Sequence, residues 1–228
     1  MSLENYKEYP YLIYKTYLKT LKEDDPQRKD HQRICLEMML AFNASICLAN
    51  YYRYKTADED AKNDAKIGAD LPKLDFDLGM MSIGKWNQVT RDTAKVLFDA
   101  TSKGKNNDFL VGDIGSMYKK SKVTDNINKL ISLRNKDAHG EVISDKELAG
   151  KLNERQKMLD QLMKEMNYLA GYKLIVPIDD EVKEGVLVHI CKDLSGYAEN
   201  IIELKDEIEL KTEIDRYSTY LYHTKKKT

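Results

Sequence analysis

The sequence predicts an all-α helical bundle of about five helices over residues 1–171, followed by a small antiparallel β segment over 172–228. Three observations carry this. Apolar residues recur at i, i+3, i+4 spacing through the first two thirds of the chain. Helix-starting residues stand where those stripes begin. After Gly171 the texture changes to short β-branched and aromatic runs separated by charged turns.

The first helix is expected in "ENYKEYPYLIYKTYLKTLKED", where Tyr11, Tyr14, Leu18 and Leu21 share a face and Pro10 stands near the start. Asp25 caps a second helix, with Pro26 in its first position. It runs to about Arg53 through "ICLEMMLAFNASICLAN" (34–50), which is too short for a membrane span of about 20 residues and carries Glu37 and Asn43. We read it as a buried central helix. Residues 54–80 are polar, with Gly, Pro and many Asp, and predict a long loop. Ser82 caps a third helix buried through Trp86, Val89, Val96 and Leu97, and "SKGKNNDFLVGD" breaks it. A fourth helix contains "LISLRNKDAHGE" (130–141).

Ser144 and Glu147 form a capping box for the fifth helix. Its seam is Leu148, Leu152, Arg155, Leu159, Leu162, Met166 and Leu169, stopped at Gly171. Arg155, the polar interruption, either sets register, pairs across a dimer or makes an intrachain salt bridge. The runs "YKLIVPI", "GVLVHICKDL", "ENIIEL" and "YSTYLYH" predict three or four strands. Because "HTKKKT" follows the last strand directly, either a truncated chain or a short tail is expected.

A net charge of −1 excludes a bulk polyanion binder, so any anion-binding surface must be local. No secretion signal is visible at the start. Cys35 and Cys47 lie twelve residues apart on one helix, roughly 18 Å, beyond disulfide reach. With Cys191 they make an odd, unclustered set that fits a reducing cytoplasm. No metal-ligand spacing occurs, and neither metal nor cofactor is expected.

The fourth helix poses the chemical question. Ile127, Leu130 and Ile131 form an apolar stripe, and its next position is Arg134. A buried, unpaired guanidinium would cost several kcal/mol. Arg134 therefore meets either an acid inside the bundle or a surface shared with something else, such as a second subunit. His139 lies about 140° round the helix from it, and the two converge if the helix ends near Ala138–Gly140. Asn135 can orient the histidine. Without a metal, an imidazole that moves protons and an arginine that stabilises a developing phosphate charge form a set for RNA cleavage. A second Arg–His pair, Arg216 and His223, falls on a strand-like run without glycine.

"SLRNKDAHGE" resembles the signature of the HEPN superfamily: an Arg, often followed by Asn, then a short spacer and a His. "YPYLIYKTYLKTLKEDDPQRKDHQRICLEMMLAFNASICLANYY" is similar to the opening of a bacterial HEPN group in which a β-rich segment follows the bundle. The resemblance implies a helical bundle that dimerises through its motif helices. It implies a metal-independent endoribonuclease in bacterial defence, with RNA and an antitoxin or fused domain as partners. Arg134 and His139 carry over as catalytic residues and Asn135 as support. Other members of the superfamily are non-catalytic dimerising and sensing modules, which is the alternative. Some relatives place Tyr two residues after the His; here Glu141 stands there.

Lys119, Lys120, Lys122, Lys129 and Lys136 could line a groove for an RNA backbone or form a solvated helix face. Tyr6, Tyr9, Tyr11, Tyr14 and Tyr17 could stack bases or pack into a core. His31 is expected at the surface and His189 in the core or at its rim. The location expected is the cytoplasm, with no membrane partner.

Overall fold

The computed structural model describes residues 6–22, 25–57, 81–102, 110–138, 145–194, 200–205 and 220–223. It is mostly helical, with an antiparallel sheet in its C-terminal part. Two compact units divide the chain: residues 24–166, and residues 1–23 together with 167–228. The division falls five residues before Gly171, and the first helix belongs with the sheet rather than with the other helices.

Among the described residues the larger unit holds five helices: α2 (Arg28–Ala57), α3 (Ile83–Ser102), α4 (Leu110–Tyr118), α5 (Ser121–Ala138) and α6 (Asp145–Glu165). Helix α2 is its centre and packs against α3, α4 and α6. Asp25 starts it, the side chain accepting from the Gln27 N–H at 2.8 Å and the carbonyl from the Arg28 N–H at 2.9 Å. His31 is half-buried, its Nδ1 3.4 Å from Asp25 Oδ2, rather than at the surface. The span Arg28–Tyr51 is long and apolar enough to cross a membrane. It is also the best-packed helix here: Cys35, Leu36, Met39, Leu40, Ala44, Ile46, Cys47 and Tyr51 are all buried.

Buried amides join α2 to α6. Gln32 Nε2 donates to the Leu152 carbonyl (3.0 Å) and to Gln156 Oε1 (3.1 Å), and Gln156 Nε2 donates to Asp160 Oδ1 (2.8 Å). Arg28 Nη1 donates to Asn153 Oδ1 at 3.0 Å. Such a chain fixes register, because sliding either helix would strand buried donors. The apolar seam of α6 is buried at Leu159, Leu162 and Met166, half-buried at Leu148 and Leu152, and Arg155 is buried within it. Ser144, the first half of the expected capping box, lies outside the described residues, as does residue 58–80 of the expected loop.

Ser82 starts α3, its Oγ accepting from the Lys85 N–H at 3.3 Å and its carbonyl from the Trp86 N–H at 3.0 Å. The buried face takes in more than the expected one, and the Val96 and Leu97 side chains lie outside the described residues. Val89 is buried, but Trp86 is only half-buried, and Asn87, Thr90 and Thr93 are buried with Ile83 and Ala94. The threonines cover their own polarity: Thr90 donates to the Trp86 carbonyl (2.9 Å) and Thr93 to the Val89 carbonyl (2.6 Å).

Helix α4 occupies part of the segment read as a break. Gly115 serves packing: a Cβ at that position would lie 3.1 Å from Phe98 Cδ2 and 3.3 Å from Phe98 Cβ. The glycine lets α4 approach α3 closely.

The second unit contains α1 (Tyr11–Thr20), a 3-10 turn (Asn167–Gly171), β1 (Tyr172–Lys183), β2 (Val186–Asp193), β3 (Asn200–Lys205) and β4 (Tyr220–His223). The strand order is β3-β2-β1-β4, all antiparallel. The Tyr11 N–H donates to the Leu194 carbonyl (2.7 Å) and the Leu194 N–H to the Leu174 carbonyl (2.7 Å), which ties the start of α1 to the sheet. The buried face of α1 is Ile13, Tyr14, Tyr17 and Thr20, one position off the expected one, with Tyr11, Leu18 and Leu21 half-buried. Tyr6, Tyr9, Tyr14 and Tyr17 are buried, and Tyr6 meets Tyr9 and Tyr17 edge-on at 5.3 and 5.4 Å. These four rings pack; they present no stacking platform. His189 is buried and satisfied, with Nδ1 2.7 Å from Asp180 Oδ1 on the paired strand.

The β1–β2 hairpin turns on Glu184 (φ 53°) and Gly185 (φ 80°). Two positive φ angles in a two-residue loop follow the right-handed twist of the strands. Nothing lies within 4 Å of a Cβ built at Gly185, so only backbone conformation resists a side chain there. Gly185→Ala is expected to destabilise its unit by about 1–2 kcal/mol, read as a lowered urea midpoint.

Candidate functional site

Helix α5 begins where the Lys120 carbonyl accepts from the Val123 and Thr124 N–H groups at 3.0 and 3.2 Å. Thr124 Oγ1 donates to the Tyr118 carbonyl at 3.1 Å, which fixes the corner between α4 and α5. The helix then buries Val123, Ile127 and Leu130. The stripe emerges gradually: Ile131 and Arg134 are half-buried, and Asn135 and Lys136 are exposed. The last turn carries Lys136, of the sign favoured at a helix C-terminus.

Arg134 Nη1 donates to Asn135 Oδ1 at 3.2 Å. No carboxylate pairs with Arg134 among the described residues. Among the described residues, most of its five donors are left for other partners. The contact also sets the Asn135 amide: the oxygen is engaged by Arg134, and the NH2 is left to donate. Arg134 and Asn135 are brought together on the end of α5. His139 follows the last described residue of that helix, Ala138, and lies outside the described residues, so its side chain has no place in this geometry. Glu141 and Arg216 also lie outside them.

The five lysines are all exposed and differ in their partners. Lys129 pairs with Glu154 and Lys120 with Glu165, both acids of α6. Lys119 lies over the Phe98 ring, 3.3 Å from its centre. Only Lys122 and Lys136 stay exposed with neither an ion pair nor a ring contact among the described residues. The hydrogen bond from Lys129 holds the Glu154 carboxyl below its usual range, and that from Lys120 does the same for Glu165. A depressed folded value gives stability that is present above the unfolded pKa and lost as pH falls through the folded one. These pairs are exposed, so that contribution is under about 1 kcal/mol.

Sequence reading passed over a second basic place. On α3, Arg91, Lys95 and Phe98 stand at i, i+4 and i+7, one helical face, facing Gly115 and Tyr118 of α4 and Lys119 just after it across a cleft of about 560 Å3. The signal was the Arg-x3-Lys-x2-Phe spacing, hidden because the apolar pattern of α3 drew the face elsewhere. Among the described residues, no three His, Cys, Asp or Glu side chains come together as a metal site.

All three cysteines are buried thiols outside any disulfide. Burial pushes the Cys47 thiol up to about 12; burial and then the Asp180 carboxylate push Cys191 up to about 11. A thiol reagent at neutral pH is expected to find no fast-reacting cysteine in the native chain and all three after unfolding, counted by absorbance of the released thiolate.

Comparison with protein-family models, with curated proteins and with solved structures finds no match.

Proposed function

We propose that the chain is a metal-independent endoribonuclease of the HEPN type that works as a homodimer in bacterial defence. One observation carries the reading: Arg134 emerges half-buried from an apolar stripe, is braced by Asn135, and has no neutralising acid among the described residues. A helix that aims an uncompensated guanidinium along its apolar edge suits a phosphodiester. In this reading His139 moves the proton at the 2′-hydroxyl or at the leaving oxygen. Arg134 stabilises charge on the phosphate as the oxyanion develops. Asn135, its oxygen taken by Arg134, donates from its amide to hold the imidazole. The nucleophile is the RNA's own hydroxyl, so the products carry 2′,3′-cyclic phosphates.

A second reading, a non-catalytic HEPN module that dimerises and senses a ligand, draws on the lysines. With Lys120 and Lys129 turned to α6 acids, the 117–136 stretch is a weak track for an RNA backbone. Incubation of the purified protein with structured and unstructured RNA in EDTA separates the two. Cleavage to cyclic phosphate ends that is lost in His139→Ala, with the circular dichroism melt unchanged, supports the nuclease. Cleavage that persists in that variant, or no cleavage of any RNA, rejects it.

A further inference from the structure

We propose that the chain associates head-to-tail with further copies of itself, the β1–β2 hairpin of one copy lying on the outer face of α1 in the next. Both surfaces belong to the smaller unit. β3 pairs with β2 only from Val188 onward, and β4 pairs with β1 only over Tyr172–Ile175. Among the described residues, the ribbon from Asp179 to Leu187 therefore has no neighbouring strand on either edge. Every residue from Glu181 to Leu187 is exposed. The register sets Val182 opposite Leu187 on one face, 72% and 39% exposed. Open strand edges that carry apolar side chains invite another chain.

Charge selects which chain. Residues 179–187 hold four acids and one lysine, a surplus of three negative charges. Lys183 already meets Glu181 at 3.4 Å, and Glu184 has no ion pair among the described residues. Two strands are thin, so acids on either face act within the Debye length of about 8 Å at physiological salt. Such a field repels RNA and anionic lipid and attracts a cationic surface. The chain itself presents one. Residues 11–22 contain three lysines and no acid. Leu12, Lys15 and Lys19 fall within about 60° on α1, turned away from the buried Ile13, Tyr14 and Tyr17. Lys22 follows the end of the helix. Lys15 lies over the uncharged Tyr11 ring, 4.7 Å from its centre, and Lys19 and Lys22 have no ion pair among the described residues. Leu12, at 48% exposure, is the apolar spot within this basic row. The row from Leu12 to Lys22 is roughly 15 Å long, and that from Asp179 to Glu184 roughly 17 Å. Val182 and Leu187 of one copy then cover Leu12 of the next, with acids and lysines alongside. The two surfaces are different, so each added copy brings a further hairpin and a further helix face, and association runs on beyond a pair.

The proposal rests on neither the ribonuclease reading nor its homodimer. The readout is growth beyond the assembly that the interface variants show alone. The test is sedimentation equilibrium of the full chain. A contact this small is weak, so the range is about 10 to 500 µM. Weight-average mass is expected to rise with concentration at about 50 mM salt and far less at about 500 mM. The double variants Lys15→Glu/Lys19→Glu and Glu181→Lys/Glu184→Lys, and the single variant Val182→Ser, change exposed positions only. Each is expected to need about tenfold more chain or higher for the same growth, with the melt unchanged. Mixing the two double variants is expected to restore growth, because one keeps the native hairpin and the other the native helix face. A wild-type mass that does not rise with concentration, any of the three variants growing like wild type, or a mixture no heavier than its parts overturns the proposal.

Discussion

Arg134→Ala is expected to lower RNA cleavage by about 10²–10³-fold, the loss typical of removing one donor to a developing oxyanion. The fold should be untouched. Arg134 is half-buried near the C-terminal end of α5, and its one hydrogen bond among the described residues goes to the neighbouring Asn135. Among the described residues its removal strands no acid, so the thermal midpoint should move little. Arg134→Lys sharpens the test. Lysine keeps the charge but loses the planar fork. If Arg134 serves phosphate through two parallel hydrogen bonds, the lysine variant regains only a fraction of the rate. Full activity in the lysine variant would show that charge alone matters; full activity in the alanine variant would remove Arg134 from the reaction. The measurement is single-turnover cleavage of an end-labelled RNA in EDTA, beside a melt of each variant.

Leu159→Ala is expected to destabilise the larger unit by about 2–5 kcal/mol, the cost of lost burial plus the cavity left behind. Leu159 is fully buried on α6, which packs against both α2 and α5. Buried amides on the same helix, Gln156 above all, hold it in register with α2, so the helix cannot slide to fill the void. Total stability of a domain is about 5–15 kcal/mol, so the loss is a large share of it. Trp86, the single tryptophan, lies on α3 in the same unit, and its fluorescence reports the unit that has lost the leucine. A change below about 1 kcal/mol in urea titration would mean that α6 does not close this core.

What was legible in the sequence was local. Asp25 and Ser82 start the helices they were expected to start, because a cap acts within three residues. The four strands after Gly171 follow their β-branched runs. The stripe of α5 and the arginine that ends it were readable for the same reason. What was not legible needed partners far along the chain. Lys120 and Lys129 engage Glu165 and Glu154, which lie 45 and 25 residues away. Nothing near Gly115 announces Phe98 across the helix pair. On α1 the buried face lies one position from the expected one, and the bond from the Tyr11 N–H to the Leu194 carbonyl ties the start of the helix to the sheet.

The smaller unit is assembled from both ends of the chain, with residues 24–166 inserted between its halves. On the ribosome the two parts therefore mature in a fixed sequence. The inserted helices have every partner in hand once residue 166 has emerged. The first helix must wait for the last strands, with Ile13, Tyr14 and Tyr17 uncovered meanwhile. Nascent chains halted once residue 166 has cleared the exit tunnel should already resist protease across the inserted helices while being cut at the N-terminal tyrosines.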